Sequence, residues 1–290
     1  MESLALIKNR INSVASTRQI TQSMRTVAAI KVHRARERAL ANRPFLEQAG
    51  RLVRAAGANL PYGEHPLLAK REGDRAAVIV ISGDRGLCGG YNVNAGKALS
   101  ALAKTLGEMR IITVGTKARE YCNQRFKGKV ARSFTGISEN PFYEDAEAIA
   151  SLAMDWYKNG EVDQVYVVYT QFETMLLQTA KAVKLLPIEM DQSQHVKMRF
   201  EVPSQALFSR AVPFYAAAFV YGAILESAAC EQSARVAAMD AAVKNAGEMI
   251  DTLTLRYHQA RQGEITQEII EIVSGADATC GEQPLRGGRS

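Results

Sequence analysis

AAVIVISGDRGLCGGYN, residues 76–92, runs from a β-branched apolar segment into a turn with glycines at 83, 86, 89 and 90, and then into a helix-compatible segment. Strand, glycine turn and helix together open a βαβ unit, and many proteins hold a nucleotide in the same way. The nucleotide readings make specific demands. A phosphate-cradling loop needs GxxxxGK followed by Ser or Thr, but here Tyr91 follows the last glycine. A dinucleotide fingerprint needs GxGxxG and an acid closing the second strand. This turn reads GxxGxxGG, and the second strand closes Val114-Gly115-Thr116. Asp84 and Arg85 are charged, yet no His or Cys is arranged with them as a catalytic set. The stretch reads as a tight turn or docking surface whose glycines take positive φ, not as a nucleotide pocket.

Outward from the turn, strand and helix signals alternate. Strands are expected at Ala76–Ser82, Met109–Val114, Val130–Phe134 and Val162–Gln171, with a neighbour at Ala180–Leu186; helices are expected at Val93–Leu106, Lys117–Arg125 and Pro141–Tyr157. That alternation gives an α/β domain with a largely parallel sheet over residues 76–190, entered by a linker at 59–75 and left by one at 191–203.

Both ends read as long helices. Residues 1–58 have no proline before Pro44 and no glycine before Gly50, and are rich in good helix formers. Apolar trios fall at Ile7, Ile11, Val14 and at Ile20, Met24, Val27, joined by a six-residue step that predicts a break in phase. At the other end Leu225, Ala229, Gln232, Val236, Met239, Val243, Ala246, Ile250, Leu253, Tyr257 and Ala260 alternate steps of 3 and 4, a heptad seam. The second helix is expected over 204–275, with Pro213 at its first turn or at a kink, and a disordered tail over 276–290. The simplest arrangement pairs the two helices antiparallel, with the α/β domain inserted between them.

Composition narrows the function. The four cysteines and four histidines are scattered and no CxxC occurs, so neither a zinc site nor a disulfide framework is expected. No GxSxG or HExxH motif is present. The longest apolar run, FYAAAFVYGAIL (214–225), is too short to span a bilayer and reads as a buried helix. The N-terminus has neither a signal-peptide core nor a transit-peptide composition, which points to an intracellular chain. Residues 1–58 carry eleven Lys or Arg against three acids, a balance of +8, leaving −2 for the remainder. An anionic partner is expected at that helix. Its run KVHRARER (31–38) lacks the interleaved aromatics of a single-strand nucleic-acid platform. A nucleic-acid-binding coiled coil and a nucleotide-binding α/β enzyme with helical arms stand as the alternatives to a non-catalytic scaffold.

Three separated motifs carry a resemblance. RINSVASTRQITQSMRTVAAIKVHRARE (10–37), SGDRGLCGGYN (82–92) and SARVAAMDAAVKNAGEMIDTLTLRYHQARQGEITQEIIEIVSGA (233–276) resemble, in order, the gamma subunit of rotary F-type ATP synthases. The resemblance implies two terminal helices in an antiparallel coiled coil with a Rossmann-like α/β domain beside its base. It also implies a non-catalytic, cofactor-free rotor shaft that couples ion flow through the membrane c ring to conformational cycling of the catalytic beta subunits. The implied partners are the alpha and beta subunits, the epsilon subunit and the c ring, with one copy per complex. No nucleic acid is implied, and membrane association comes only through partners, on the cytoplasmic face of a bacterial plasma membrane in preference to an organellar inner membrane or thylakoid.

By motif position, Arg261, Gln262, Thr266, Gln267, Glu268, Met24 and Arg235 are implied to contact the catalytic ring. Asp84, Arg85, Gly86, Leu87 and Cys88 are implied at the foot domain near epsilon, and Phe200 and Glu201 near the c ring. The chain departs from the family at Gly263, where a small residue such as Ala is usual, and in its final stretch DATCGEQPLRGGRS, which runs past the usual ending. It also lacks the paired-cysteine insert of chloroplast members.

Overall fold

The structure, a computed structural model, describes residues 3–58, 60, 67, 71, 73–188 and 200–280, with side chains as far as 276. The chain forms two compact units, Met1–Met24 with Met239–Ser290, and Arg25–Ala238. The boundary lies inside both long helices, α1 (Leu4–Ala58) and α5 (Ser204–Cys280).

The larger unit holds a five-stranded sheet: β1 (Ala76–Ile81), β2 (Met109–Val114), β3 (Val130–Phe134), β4 (Gln164–Phe172) and β5 (Gln178–Leu186) in the order β3-β2-β1-β4-β5. β1 to β4 are parallel and β5 runs antiparallel to β4. The even residues Val78, Val80 and Val168 face α2 (Tyr91–Leu102) and α3 (Thr116–Arg125), where Leu99, Ala118 and Cys122 meet them. The odd residues Ala77, Ile79, Val165 and Val167 face α4 (Tyr143–Lys158) and the long helices through Ile149, Tyr157, Phe208, Val220 and Ile224. Period-2 side chains with both faces covered explain why central β1 is apolar throughout, whereas the edge strands β3 and β5 carry Arg132, Lys181 and Lys184. The most apolar window of α5 is a core helix of this unit, packed on the sheet.

Within this unit α1 and α5 run antiparallel. The carboxamide of Asn42 lies 2.6 Å from where a Cβ on Gly222 would stand, Arg43 Nε donates to Glu226 Oε1 at 2.9 Å, and Phe45 meets Phe214 edge-on at 5.5 Å. The smaller unit pairs its two helix segments the same way: Arg18 lies by Gly247, and Arg10 shares a groove with Met249 and Leu253.

Every expected seam position of α5 from Leu225 to Ala260 is buried or half-buried. On α1 the expected phase break is corrected. Ile7, Ile11, Val14, Thr21, Arg25, Ala28, Val32, Ala35, Ala39, Asn42 and Leu46 form a shielded stripe, spaced by 3 and 4 apart from one step across exposed Arg18. Ile20 (62%), Met24 (37%) and Val27 (54%) are left exposed. Thr21, Arg25, Ala28, Ala35 and Ala39 hold much of the middle of the seam, while the larger Ile20, Met24 and Val27 face outward.

Other differences are local. α2 ends at Leu102, four residues early, because the Thr105 hydroxyl donates to the Leu102 carbonyl at 2.8 Å and closes the last turn. α5 continues to Cys280 rather than stopping at 275. Pro44 and Pro213 both lie inside their helices. Most of the 59–75 linker, 189–199 of the return and the tail from 281 lie outside the described residues.

Candidate functional site: the glycine turn and the helix tip

The strand order changes direction between β1 and β4, and in open α/β sheets ligands enter at the carboxyl ends of such strands. The glycine turn lies at that point. Its conformation is tied down residue by residue. Asp84 accepts from the Thr116 backbone N–H and hydroxyl, both at 2.9 Å, and from the Ser138 hydroxyl at 2.7 Å and Gly136 N–H at 3.0 Å. Burial pushes this carboxyl up, but those hydrogen bonds outweigh it and its pKa sits below the ordinary aspartate value. Asn92 accepts from Gly83 N–H at 3.0 Å and donates to the Arg85 carbonyl at 3.2 Å.

Positive φ, expected at the turn's glycines, occurs only at Gly89 (55°) among them, and Leu87 adopts 60° although it carries a side chain. Gly83 is needed for a different reason. A Cβ there would lie 2.8 Å from the Glu231 carboxyl carbon, so a side chain would push this buried, ion-paired carboxylate from its place.

Glu231 is 1% exposed and forms an ion pair at 2.6 Å with Arg235, whose same nitrogen also donates to the Gly86 carbonyl at 3.2 Å. Burial raises the Glu231 pKa against the opposing effect of Arg235. At the end of β4, Thr170 N–H donates to Ser227 Oγ, the Cys230 thiol donates to Thr170 O, and Phe172 N–H donates to Glu226. Tyr91, buried at the start of α2, joins Cys88, Phe172, Ala229 and Cys230 in an apolar cluster. The crevice is therefore closed by the chain's own helix, and its polar lining includes three carboxylates, Asp84, Glu226 and Glu231. A crevice already filled by the chain's own helix argues against the nucleotide-binding alternative. Among the described residues no group of three His, Cys, Asp or Glu could hold a metal ion. At the opposite end of the sheet, a cleft of about 320 Å³ is lined by Arg75, Glu108, Arg110 and Glu161. Its arginines are already engaged, Arg75 with Asp163 at 2.9 Å and Arg110 with Glu161.

The residues singled out by resemblance fall into three groups. Arg261, Gln262, Thr266, Gln267 and Glu268 are exposed on α5, as is every residue from 261 to 276. Thr266 Oγ1 donates to Gln262 O at 2.8 Å and Gln267 Nε2 to Glu271 at 2.9 Å, while Ile265, Ile269, Ile270, Ile272 and Val273 are 45–71% exposed. In the turn, Arg85, Gly86 and Leu87 are exposed and Asp84 is half-buried. Phe200 packs against the core and Glu201 is exposed.

Cys88 and Arg235, expected as partner contacts, have side chains that face inward. Cys88 lies in an apolar cluster with Tyr91, Phe172 and Cys230, and Arg235 is spent on Glu231 and Gly86. Met24 is exposed on α1. The residue that sequence reasoning missed is Glu231. Its signal was a carboxylate inside SAACEQSARVAA (227–238), a stretch otherwise of small and apolar residues with one arginine.

Comparison with known proteins agrees in kind. A family profile described as ATP synthase matches residues 3–279. The ATP synthase gamma chain of Pelotomaculum thermopropionicum is 42% identical, covering 96% of this chain and 99% of its own. A sodium-ion-specific ATP synthase gamma chain from Acetobacterium woodii is 38% identical over 96% of this chain and 99% of its own. Among solved structures, a chain of the Euglena gracilis mitochondrial ATP synthase complex of OSCP, F1 and c-ring shares the fold with a TM-score of 0.68 at 18% identity, over 99% of this chain and 98% of that one. A central-stalk and c-ring structure from Tetrahymena thermophila gives 0.61 at 22% identity, over 77% and 99%.

Proposed function

The chain belongs to the ATP synthase gamma chain family, the central stalk rotor of the F1 sector, and we propose that it works as a non-catalytic shaft whose bare α5 tip is gripped by the catalytic ring. The observation that carries this reading is the tip itself. Residues 261–276 are helical, rich in isoleucine and exposed throughout, so a partner must cover them. In that setting Arg261, Gln262, Thr266, Gln267 and Glu268 supply polar contacts to the alpha and beta subunits, with Met24 nearby on α1. An arginine can hold an acidic loop bidentately, giving a contact that breaks and reforms as the shaft turns.

One copy stands in each ring, and its unlike faces bias the beta subunits among their states in succession, a coupling between distant sites carried by a rigid element. Exposed Arg85, Gly86 and Leu87 face epsilon, and Glu201, with Phe200 behind it, faces the polar loops of the c ring. Nucleotide and catalysis belong to the partners. The complex is associated with a membrane, and the shaft lies on the cytoplasmic face of a bacterial plasma membrane, held there through its partners.

The basic α1 segment acts as a salt-sensitive collar toward acidic loops, since Arg34, Arg36 and Arg38 are all exposed. Neutralising these three arginines weakens ring assembly or coupling, most at low salt. An unchanged assembly, coupling and salt response contradicts the collar. Replacing Arg261 and Gln262 together by alanine lowers the hydrolysis rate of the assembled ring, measured by phosphate release. An unaltered rate contradicts the grip at the tip.

A further inference from the structure

Six charged side chains come together where the glycine turn meets both long helices inside the larger unit. They are Lys31 of α1, Asp84 and Arg85 of the turn, Glu139 of the loop before α4, and Glu231 and Arg235 of α5. Lys31 Nζ donates to Glu139 Oε2 at 3.0 Å and Arg85 Nε lies 3.8 Å from Glu139 Oε1. Arg235 bridges Glu231 Oε1 and Gly86 O, and the Asp84 carboxylate binds the Ser138 hydroxyl beside Glu139.

Three cations and three anions balance, and every member feels another. Glu139 is held below the ordinary glutamate value by the Lys31 hydrogen bond first, with further help from Arg85 and Arg235. The chain thus ties its turn inward at three alternate residues, by the carboxylate of Asp84, the carbonyl of Gly86 and the buried thiol of Cys88. Arg85 and Leu87 between them face out, and Leu87 is held in the left-handed region, which disfavours a side chain.

From this geometry we infer that Glu231, Arg235, Lys31 and Glu139 are positioning residues that clasp the glycine turn to both helices, so that the α/β body and the helix pair move as one piece. Arg235 then acts within its own chain, through one guanidinium nitrogen shared by Glu231 and Gly86. The clasp has two strengths. The Glu231–Arg235 pair is shielded, at 2% and 10% side-chain exposure, and resists salt. The Lys31–Glu139 pair, at 41% and 30%, is screened as ionic strength rises. The outer pair is therefore the part that yields first under load or in high salt.

This inference rests on the rotor reading for its consequence, not for its geometry, and the two can be tested apart. Hydrogen–deuterium exchange on the full chain compares the native protein with Lys31→Glu, Glu139→Gln and the swapped pair Lys31→Glu with Glu139→Lys. Each single change should speed exchange at residues 84–88 and 136–139 by about tenfold, as loss of a charge-assisted hydrogen bond predicts. The swap should return it to the native rate, and salt should speed the native chain toward the single variants. In the complex assembled in vesicles, ions moved per ATP hydrolysed should fall in the single variants and recover in the swap. A general loss of packing would not recover on swapping.

Unchanged exchange in both single variants, or a swap that restores neither readout, overturns the clasp. Altered exchange with unaltered coupling overturns its mechanical role alone. Failure of the native chain to enter the ring would count against the rotor reading and leave the exchange result to judge the clasp.

Discussion

Two stretches of α5 share one helix and differ in almost everything else. Around Phe208, Val212, Val220, Ile224 and Glu231 the helix is shielded on the sheet and the turn, while from Arg261 to Ala276 every residue is exposed. The first stretch builds a core, and its apolar side chains stabilise the fold by leaving water. The second carries comparable isoleucines that stay 45–71% exposed. Apolar content alone therefore does not say what a helix is for. The distinction lies in whether the chain itself supplies the cover, and here it covers the first stretch and leaves the second exposed.

The sharpest way to break that contrast is a matched pair of truncations. Phe208→Ala should destabilise the full chain by about 3–5 kcal/mol, read by urea denaturation. Ile269→Ala should change it by less than about 0.5 kcal/mol, yet weaken entry into the catalytic ring. Equal losses of stability would erase the division between the two stretches.

Within the turn the same logic separates two glycines. Gly83→Ala places a methyl 2.8 Å from the Glu231 carboxyl carbon and should cost about 1–3 kcal/mol. Gly86→Ala meets nothing within 4 Å and should cost less than about 0.5 kcal/mol by the same denaturation assay.

Asp84 gives a pH-dependent test. Its pKa is lower in the folded chain than in the unfolded one, so its contribution is present above the ordinary value of 3.8 and is lost as pH falls through the depressed folded value. Asp84→Asn should therefore be less stable than the native chain near neutrality, and the gap should close on acidification. A gap that is constant with pH would mean that the carboxylate's charge is not what holds the turn.

The most local effect is expected at the tip. Gly263 sits inside α5 with nothing within 4 Å of a would-be Cβ, so Gly263→Ala should stiffen the helix by up to about 1 kcal/mol, seen as slower amide exchange around residues 260–266.

Much of this was legible from residues alone, for identifiable reasons. β-branched runs marked β1, β2 and β4, and the uninterrupted 3–4 spacing from Leu225 to Ala260 marked α5, because burial of one face imposes those periods. The seam of α1 was misread because Ile20, Met24 and Val27 have the stronger apolar signal, whereas Ala28, Ala35 and Ala39 make the close helix contact. At Ile20, Met24 and Val27 size lies outside, and at Ala28, Ala35 and Ala39 smallness lies inside, which inverts the usual reading there.

At the turn, the glycines were visible but their cause was not. Gly83 is explained by Glu231, which is remote in sequence, and Arg235 could not be seen to face inward until both its acceptors were placed. Local spacing reports local structure, and a contact between a turn and a distant helix leaves only the faint mark of one acid in an apolar run.

The central claim, that this chain is the shaft the catalytic ring closes around, is tested most directly by reconstitution with cognate alpha and beta subunits. Native mass spectrometry would count the copies in each ring, and ATP hydrolysis would be measured with and without the chain. One copy per ring together with faster hydrolysis is the predicted result. A chain that never enters the ring, or enters without changing hydrolysis, would contradict it.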